Sequence, residues 1–149
     1  MKRLLAVVLS GGLVLAGCGG SSKPASRPAK QYLAILAPAN QAIDVFDADL
    51  KTLPSSATAA TYVKITAPLA AAFSTVDQNL LRDPWPANAR TDIQALTVAD
   101  SVVIADLGMA ATVKPGTFSA WERQLSKDLG KILPHAELVR TDLGLSLHQ

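Results

Sequence analysis

Side chains that could perform chemistry are few in this sequence of 149 residues. It contains two histidines, His135 and His148, and one cysteine, Cys18. Its only glutamates are Glu122 and Glu137, whereas a di-iron bundle needs glutamates from several helices and Glu-x-x-His repeats. Glycine-rich phosphate loops, Gly-x-Ser-x-Gly and His-Glu-x-x-His sequences are also absent. The sequence therefore predicts no enzyme, no metal site and no cofactor.

One carboxylate, Asp100, falls within an apolar helical pattern. It continues the spacing of its apolar neighbours Ile93, Leu96, Val103 and Leu107. A buried carboxylate needs a partner or a strongly shifted pKa, and the candidate partners are Arg90, Arg123 and Arg140. On this interpretation Asp100 lines a binding cavity. In the simpler alternative, Ala99 takes the inward position and Asp100 lies at the rim.

Two prolines and a tryptophan are further candidates for contact with a partner or ligand. Pro38 and Pro68 fall inside helical patterns, where each removes a backbone donor and crowds the preceding turn. The resulting bends leave a groove or pocket, or they only curve the helices around a filled core. Trp85, between Pro84 and Pro86, is either an exposed contact or a side chain that folds back to close the end of the bundle.

The first 17 residues have the composition of a secretory signal. Met1-Lys2-Arg3 is cationic, and residues 4–16 form an almost wholly apolar run. Small residues follow around a cleavage point between Gly17 and Cys18. This run gives about 20 Å of helix, shorter than a hydrocarbon core of about 30 Å. We therefore expect a cleaved signal peptide over residues 1–17 rather than a permanent transmembrane helix.

The segment Leu15-Ala16-Gly17-Cys18 resembles the lipobox of bacterial lipoproteins, in which a branched apolar residue and two small residues precede cysteine. The resemblance implies that Cys18 is modified with diacylglycerol and becomes the N-terminus after cleavage. The alternatives are an ordinary signal that contains a cysteine near its end, or a buried anchor helix. The residue after Cys18 is Gly19, so the aspartate that retains lipoproteins in the inner membrane of diderm bacteria is absent.

The segment after Cys18 is predicted to be a tether without nucleic-acid affinity. Residues 18–28 are rich in glycine, serine and proline and lack an apolar period. Loss of Lys2 and Arg3 from the 14 basic residues would leave 12, equal to the 12 acidic residues. A neutral chain has no global field to attract nucleic acid. Four aspartates could suggest a carboxylate cluster, but they are expected to be solvated instead: Asp44, Asp47, Asp77 and Asp92.

Residues 29–145 predict an all-α fold, an antiparallel four-helix bundle with Pro-kinked helices. The first apolar stripe is Tyr32, Leu36, Ala39, Ile43, Phe46, Leu50 and Leu53, with alternating spacings of four and three. Further helices are predicted over about residues 57–81, 88–107 and 118–143, separated by proline- and glycine-containing breaks. Residues 146–149 are predicted to be a frayed tail.

The body of the chain is similar to small helical lipoproteins of high-GC Gram-positive bacteria, through residues 32–40 (YLAILAPAN) and the turn Asp83-Pro84-Trp85-Pro86. That resemblance implies an extracytoplasmic, lipid-anchored position and brings no activity or site residues. An offset of 30 residues pairs Tyr32 with Tyr62 and Pro38 with Pro68. The offset reflects either a duplicated helical unit or a coincidence between two amphipathic helices.

Two functions fit these observations. The first is a membrane-tethered bundle that binds a protein or another component of the cell envelope, motivated by the anchor, the tether and the absence of catalytic motifs. The alternative is a carrier of a small apolar ligand or lipid, held in a pocket at the bends of Pro38 and Pro68.

Overall fold

Four α-helices make up most of the structure, a computed structural model that describes residues 25–54, 56–114 and 116–146. They are α1 (Arg27–Thr52), α2 (Ala59–Arg82), α3 (Ala87–Gly108) and α4 (Phe118–Asp142). A short 3-10 helix, Met109–Thr112, continues directly from α3. These described ranges contain no β-strand. The prediction of an all-α chain with four long helices is confirmed.

Short polar side chains and glycine set the helix ends. Ser26 Oγ accepts a hydrogen bond of 3.3 Å from the backbone N–H of Ala29, in the first turn of α1. Helix α1 begins at Arg27, two residues earlier than predicted. Thr58 and Thr61 form a reciprocal capping box at the start of α2. Gly144 follows α4 with φ of +70°, a left-handed conformation that suits glycine because it has no Cβ.

Each helix buries one face in a common core. The stripe predicted for α1 is buried from Tyr32 to Phe46, whereas Leu50 and Leu53 at its end are half-buried. In α2, Thr66 is buried, whereas the larger apolar Ile65 beside it is only partly buried. The buried residues of α4 are Trp121, Leu125, Asp128, Leu129, Ile132, Ala136 and Val139. The helical period alone therefore accounts for most of the core.

Aromatic clusters close both ends of the bundle. At one end, the Trp85 end, Tyr32 and Trp85 pack edge to face with ring centroids 6.3 Å apart. Gln31 Nε2 donates to Asp83 Oδ2 at 2.6 Å beside them. At the other end, the Trp121 end, Tyr62 stacks on Phe118 at 3.9 Å, and Trp121 lies 5.2 Å from Phe118. These clusters join the start of α1 to the segment after α2, and the start of α2 to the start of α4.

Candidate functional site

Asp100 lies inside the bundle. It is 2% exposed, whereas the adjacent Ala99 is only partly buried. The simpler interpretation of the sequence, with Ala99 inward and Asp100 at the rim, is therefore wrong. The apolar residues that share the spacing of Asp100 on α3 are all buried, and they are Ile93, Leu96, Val103 and Leu107. Because these residues face the core, helix geometry places Asp100 there as well.

Asp100 has a second carboxyl as its partner. Asp77, on α2, is hydrogen-bonded to it, and two adjacent carboxylates cannot both be charged without a large cost. Burial raises the pKa of Asp77 to about 6. Burial, reinforced by the charge of Asp77, raises the pKa of Asp100 to about 8, so the pair retains a proton near neutral pH. Of the four aspartates expected to be solvated, Asp44 is exposed, whereas Asp47, Asp77 and Asp92 are half-buried.

None of the proposed cationic partners pairs with Asp100. Arg90 Nε donates to the carbonyl of Trp85 at 3.0 Å, and Arg140 Nη2 donates to the carbonyl of Ser146 at 2.6 Å. Within residues 25–54, 56–114 and 116–146, the one ion pair joins Lys131 to Asp128. The negative charge of Asp100 is therefore suppressed by a bound proton and not compensated by a cation.

A small cavity borders Asp100. It is lined by all four helices, through Tyr32, Leu36, Ala39, Phe73, Val76, Leu96, Asp100, Ile132 and Ala136. The volume open to the centre of a water molecule is about 10 Å³, enough for about one water, whereas small-molecule pockets measure roughly 300–1,000 Å³. This cavity has no room for a lipid chain or a small apolar ligand. The carrier alternative therefore has no binding space at this position.

The polar atoms that border this cavity are buried. The hydroxyl of Tyr32 and Oδ1 of Asp100 have no hydrogen-bond partner among the described residues. Burial raises the pKa of Tyr32 above its ordinary value, and the nearby Asp100 adds to the effect. Both groups are therefore held in their neutral, protonated forms at physiological pH.

Helix α3 contributes to two further carboxyl pairs, both with α4. Asp106 is hydrogen-bonded to Asp128, and Asp92 to Asp142. Lys131, together with Gln124, lowers the pKa of Asp128, so Asp128 carries the charge. Partial burial and the neighbouring carboxyl raise the pKa of Asp106 and of Asp142. Helix α3 thus contributes one carboxyl to each of these three pairs.

Trp85 is a core residue. It is 5% exposed, and its indole Nε1 donates to the carbonyl of Leu80 at 2.6 Å. Together with the edge-to-face contact to Tyr32, this bond fixes the side chain against the end of the bundle. Trp85 therefore presents no exposed indole to a partner. Its side chain folds back onto the end of the bundle, as in the second of the two interpretations of the sequence.

The remaining predicted site residues lie away from the cavity. Pro38 and Pro68 are inside α1 and α2 but are exposed on the outer surface. Pro38 is adjacent in sequence to the cavity residue Ala39 without lining the cavity itself. Gly17 and Cys18, the predicted cleavage and lipid-attachment residues, lie outside the described residues.

Helix α3 also has an uncharged outer surface, which was not predicted from the sequence. From residue 94 to 112 no exposed residue carries a charge, since the two charged residues in this stretch are Asp100, which is buried, and Asp106, which is half-buried. Val98, Val102 and Met109 are 65%, 44% and 55% exposed. The surface, named here the α3 outer face, consists of Gln94, Val98, Ser101, Val102, Ala105, Gly108, Met109 and Thr112. A second apolar stripe at the helical period was the available signal.

No protein-family model, curated protein or solved structure matches this chain. In the part of the chain that the structure describes, no group of three or more histidine, cysteine, aspartate or glutamate side chains is placed to hold a metal ion.

By length and composition alone, α3 with its 3-10 extension (Ala87–Thr112) is apolar enough to cross a membrane, with a mean hydropathy of 1.4 over its most apolar window. Core helices of globular domains pass the same test. Here α3 packs against α2 and α4 and contributes Ile93, Leu96 and Val103 to the common core. Its high hydropathy results from apolar residues on two faces, one in the core and one exposed.

Proposed function

We propose that this protein is a membrane-anchored extracytoplasmic lipoprotein whose helical bundle binds a protein or another component of the cell envelope. The lipobox resemblance at residues 15–18 supports the anchor. The absence of catalytic motifs in the sequence supports a binding role over catalysis. Cleavage before Cys18 would leave 12 basic and 12 acidic residues, and this balance argues against nucleic acid as the partner.

The observation that carries the binding role is the α3 outer face. A surface helix normally presents charged residues opposite its buried stripe. The outer sides of α1 and α4 fit this rule, with the exposed residues Asp44, Lys51, Lys127 and Glu137. Between residues 94 and 112, over a length of about 27 Å, α3 and its 3-10 extension expose no charged residue. Residues 65–81 of α2 also expose no charged side chain, but Leu81 is the one large apolar residue exposed there, whereas the α3 outer face exposes Val98, Val102 and Met109. An uncharged surface with several large apolar side chains is typical of a surface that contacts a partner.

We also propose that neighbouring helices run in opposite directions and that α1 and α2 bend at Pro38 and Pro68. Contacts between helix ends support the first point, since Gln31 near the start of α1 bonds to Asp83 after α2. Trp121 Nε1, near the start of α4, donates to the carbonyl of Asp106 near the end of α3 at 2.8 Å. An interior proline without a backbone N–H supports the second.

Replacing Cys18 with serine should move the protein from the membrane fraction to the soluble extracytoplasmic fraction of its host. Serine cannot form the thioether that carries diacylglycerol, and the mature bundle has no other anchor in this proposal. Fractionation and intact-mass analysis of the wild type, of Cys18→Ser and of a Ser21→Ala control would test this. The control should keep the acyl mass and the membrane location. A wild-type protein with a free thiol, or with a mature end other than Cys18, would contradict the anchor.

A further inference from the structure

We infer that the α3 outer face rests on the anionic lipid surface to which the chain is tethered. The inference depends on the lipid attachment proposed for Cys18 and identifies the envelope component that the bundle contacts. Three observations carry it: the arrangement of charge around α3, the length of chain before the structure, and the size of the face.

Charge on α3 complements an anionic bilayer. Two exposed cations flank the α3 outer face, Arg90 on one side and Lys114 on the other. The acidic residues between them do not project from the face, because Asp100 is buried and Asp92 and Asp106 pair with carboxyls of α4. An uncharged face with several large apolar side chains, bounded by basic residues, is the pattern of a helix that lies in the headgroup region with those apolar side chains toward the acyl boundary.

The tether keeps this face close to the bilayer. Cys18 is seven residues before Ala25, the first described residue, so the two are at most about 25 Å apart. Helix α1 starts at the Trp85 end, where α3 also starts, since Tyr32 packs on Trp85. The α3 outer face therefore always lies within a few tens of ångströms of lipid. Because the tether makes docking intramolecular, a weak contact is sufficient.

The face is too small for a stable dimer. It comprises the eight residues named above, whereas specific protein interfaces use roughly 20–30 residues on each side. A second copy of the chain would need additional contact area to form a stable dimer, because no tether holds the two copies together. The bilayer needs no matching surface, so the small size of the face favours lipid as its occupant.

A single introduced thiol tests the contact directly. Val98→Cys places it on the α3 outer face, and Val45→Cys is the matched control, because Val45 is 54% exposed on α1. Lipidation blocks the sulfur of Cys18, so a thiol-reactive fluorophore labels only the new cysteine. The lipidated full-length protein is placed in phosphatidylcholine–phosphatidylglycerol vesicles with brominated acyl chains. We expect severalfold stronger quenching at residue 98 than at residue 45.

Charge variants provide a second measurement. Val98→Asp should lower the quenching of a fluorophore at Val102→Cys to the level seen at residue 45, because it puts a charge at the centre of the docked face. Val45→Asp should leave the quenching at Val102→Cys unchanged, and circular dichroism should report the same helix content for both. Lys114→Gln should lower the ratio of docked to undocked protein by up to about fivefold in phosphatidylglycerol-containing vesicles. It should have little effect in vesicles of phosphatidylcholine alone.

The outcomes separate this inference from the anchor on which it depends. If the anchor is wrong, the wild-type protein takes up the thiol label at Cys18 and does not float with vesicles. If only the docking inference is wrong, the protein floats with vesicles but residues 98 and 45 are quenched equally. If a fluorophore at residue 98 becomes less accessible to solvent as the protein concentration rises in the absence of vesicles, the inference is overturned in favour of a second copy of the chain. If the fluorophore becomes less accessible to solvent only when an envelope protein is added, the inference is overturned in favour of a protein partner.

Discussion

Raising the pH from about 4 to about 8 should lower the free energy of unfolding of this bundle, and Asp100→Asn should remove much of that loss. The pKa of Asp100 rises from 3.8 to about 8 on folding, and that of Asp77 to about 6. The folded state therefore binds more protons than the unfolded chain across this window, and stability falls as pH rises. The stabilisation is complete below pH 3.8 and is lost as pH passes the folded-state pKa. Each such group changes the free energy of unfolding by up to about 1.4 kcal/mol per pH unit.

The groups around Asp100 determine the expected stability of the Asp100→Asn variant at each pH. Asp77 on α2 interacts with it, and the cavity beside it is lined by Tyr32 of α1 and by Ile132 and Ala136 of α4. Asparagine keeps the shape of the side chain and cannot ionise. Asp100→Asn should therefore be close to wild type near pH 4 and more stable than wild type near pH 8.

Urea denaturation at a series of pH values, followed by circular dichroism, measures this effect. Asp44→Asn, at an exposed position on α1, is the control and should reproduce the wild-type profile. Asp128 acts in the opposite direction, because Lys131 lowers its pKa. Its contribution is present above pH 3.8 and is lost as pH falls through the folded-state pKa. A wild-type stability that stays level or rises between about pH 4 and 8 would show that the carboxyl pair is not buried as described.

Replacing Trp85 with alanine should lower the free energy of unfolding by about 3–5 kcal/mol. The indole is nearly fully buried, and its removal leaves a cavity and strands the carbonyl of Leu80, which loses its 2.6 Å hydrogen bond. The edge-to-face contact with Tyr32 is lost as well, and such pairs contribute about 0.5–1.5 kcal/mol. Against a total stability of about 5–15 kcal/mol, this change is large enough to unfold much of the protein at moderate temperature.

The neighbouring Leu81 provides the control for this substitution. It is 62% exposed, so Leu81→Ala should change stability by no more than about 0.5 kcal/mol. The loss of stability in Trp85→Phe should lie between those of the two alanine variants, because phenylalanine keeps an aromatic ring but cannot donate the hydrogen bond. Thermal and urea unfolding of the three variants by circular dichroism would measure the series. Equal stability of Trp85→Ala and wild type would restore the interpretation of Trp85 as an exposed contact.

The sequence predicted the helices well because the apolar period was strong and the breaks between helices were clear. The stripe beginning at Tyr32 and the breaks near Pro54, Pro84 and Pro115 fixed the number and approximate bounds of the helices. A single-helix pattern also placed Asp100 in an apolar stripe. Choosing Ala99 as the inward residue came from the general cost of burying a carboxylate, and that cost is reduced here by a shared proton.

The partner of Asp100 could not be read from the sequence. Asp77 is one of several aspartates, and its selection depends on how α2 is rotated and shifted along its axis relative to α3. Those two variables are set by packing across the whole core, not by local spacing. The α3 outer face was missed for a different reason. One apolar stripe suffices to define a bundle helix, so the second stripe through Val98 and Val102 was not considered separately.

The two tryptophans lie at opposite ends of the bundle, and each donates its indole N–H to a backbone carbonyl, of Leu80 for Trp85 and of Asp106 for Trp121. Since the chain has no other tryptophan, intrinsic fluorescence can report on each end separately. With Trp121→Phe the emission follows opening at the start of α1, and with Trp85→Phe it follows opening at the start of α4. Comparing the two emission transitions would show whether the bundle unfolds in one step or frays first from one end.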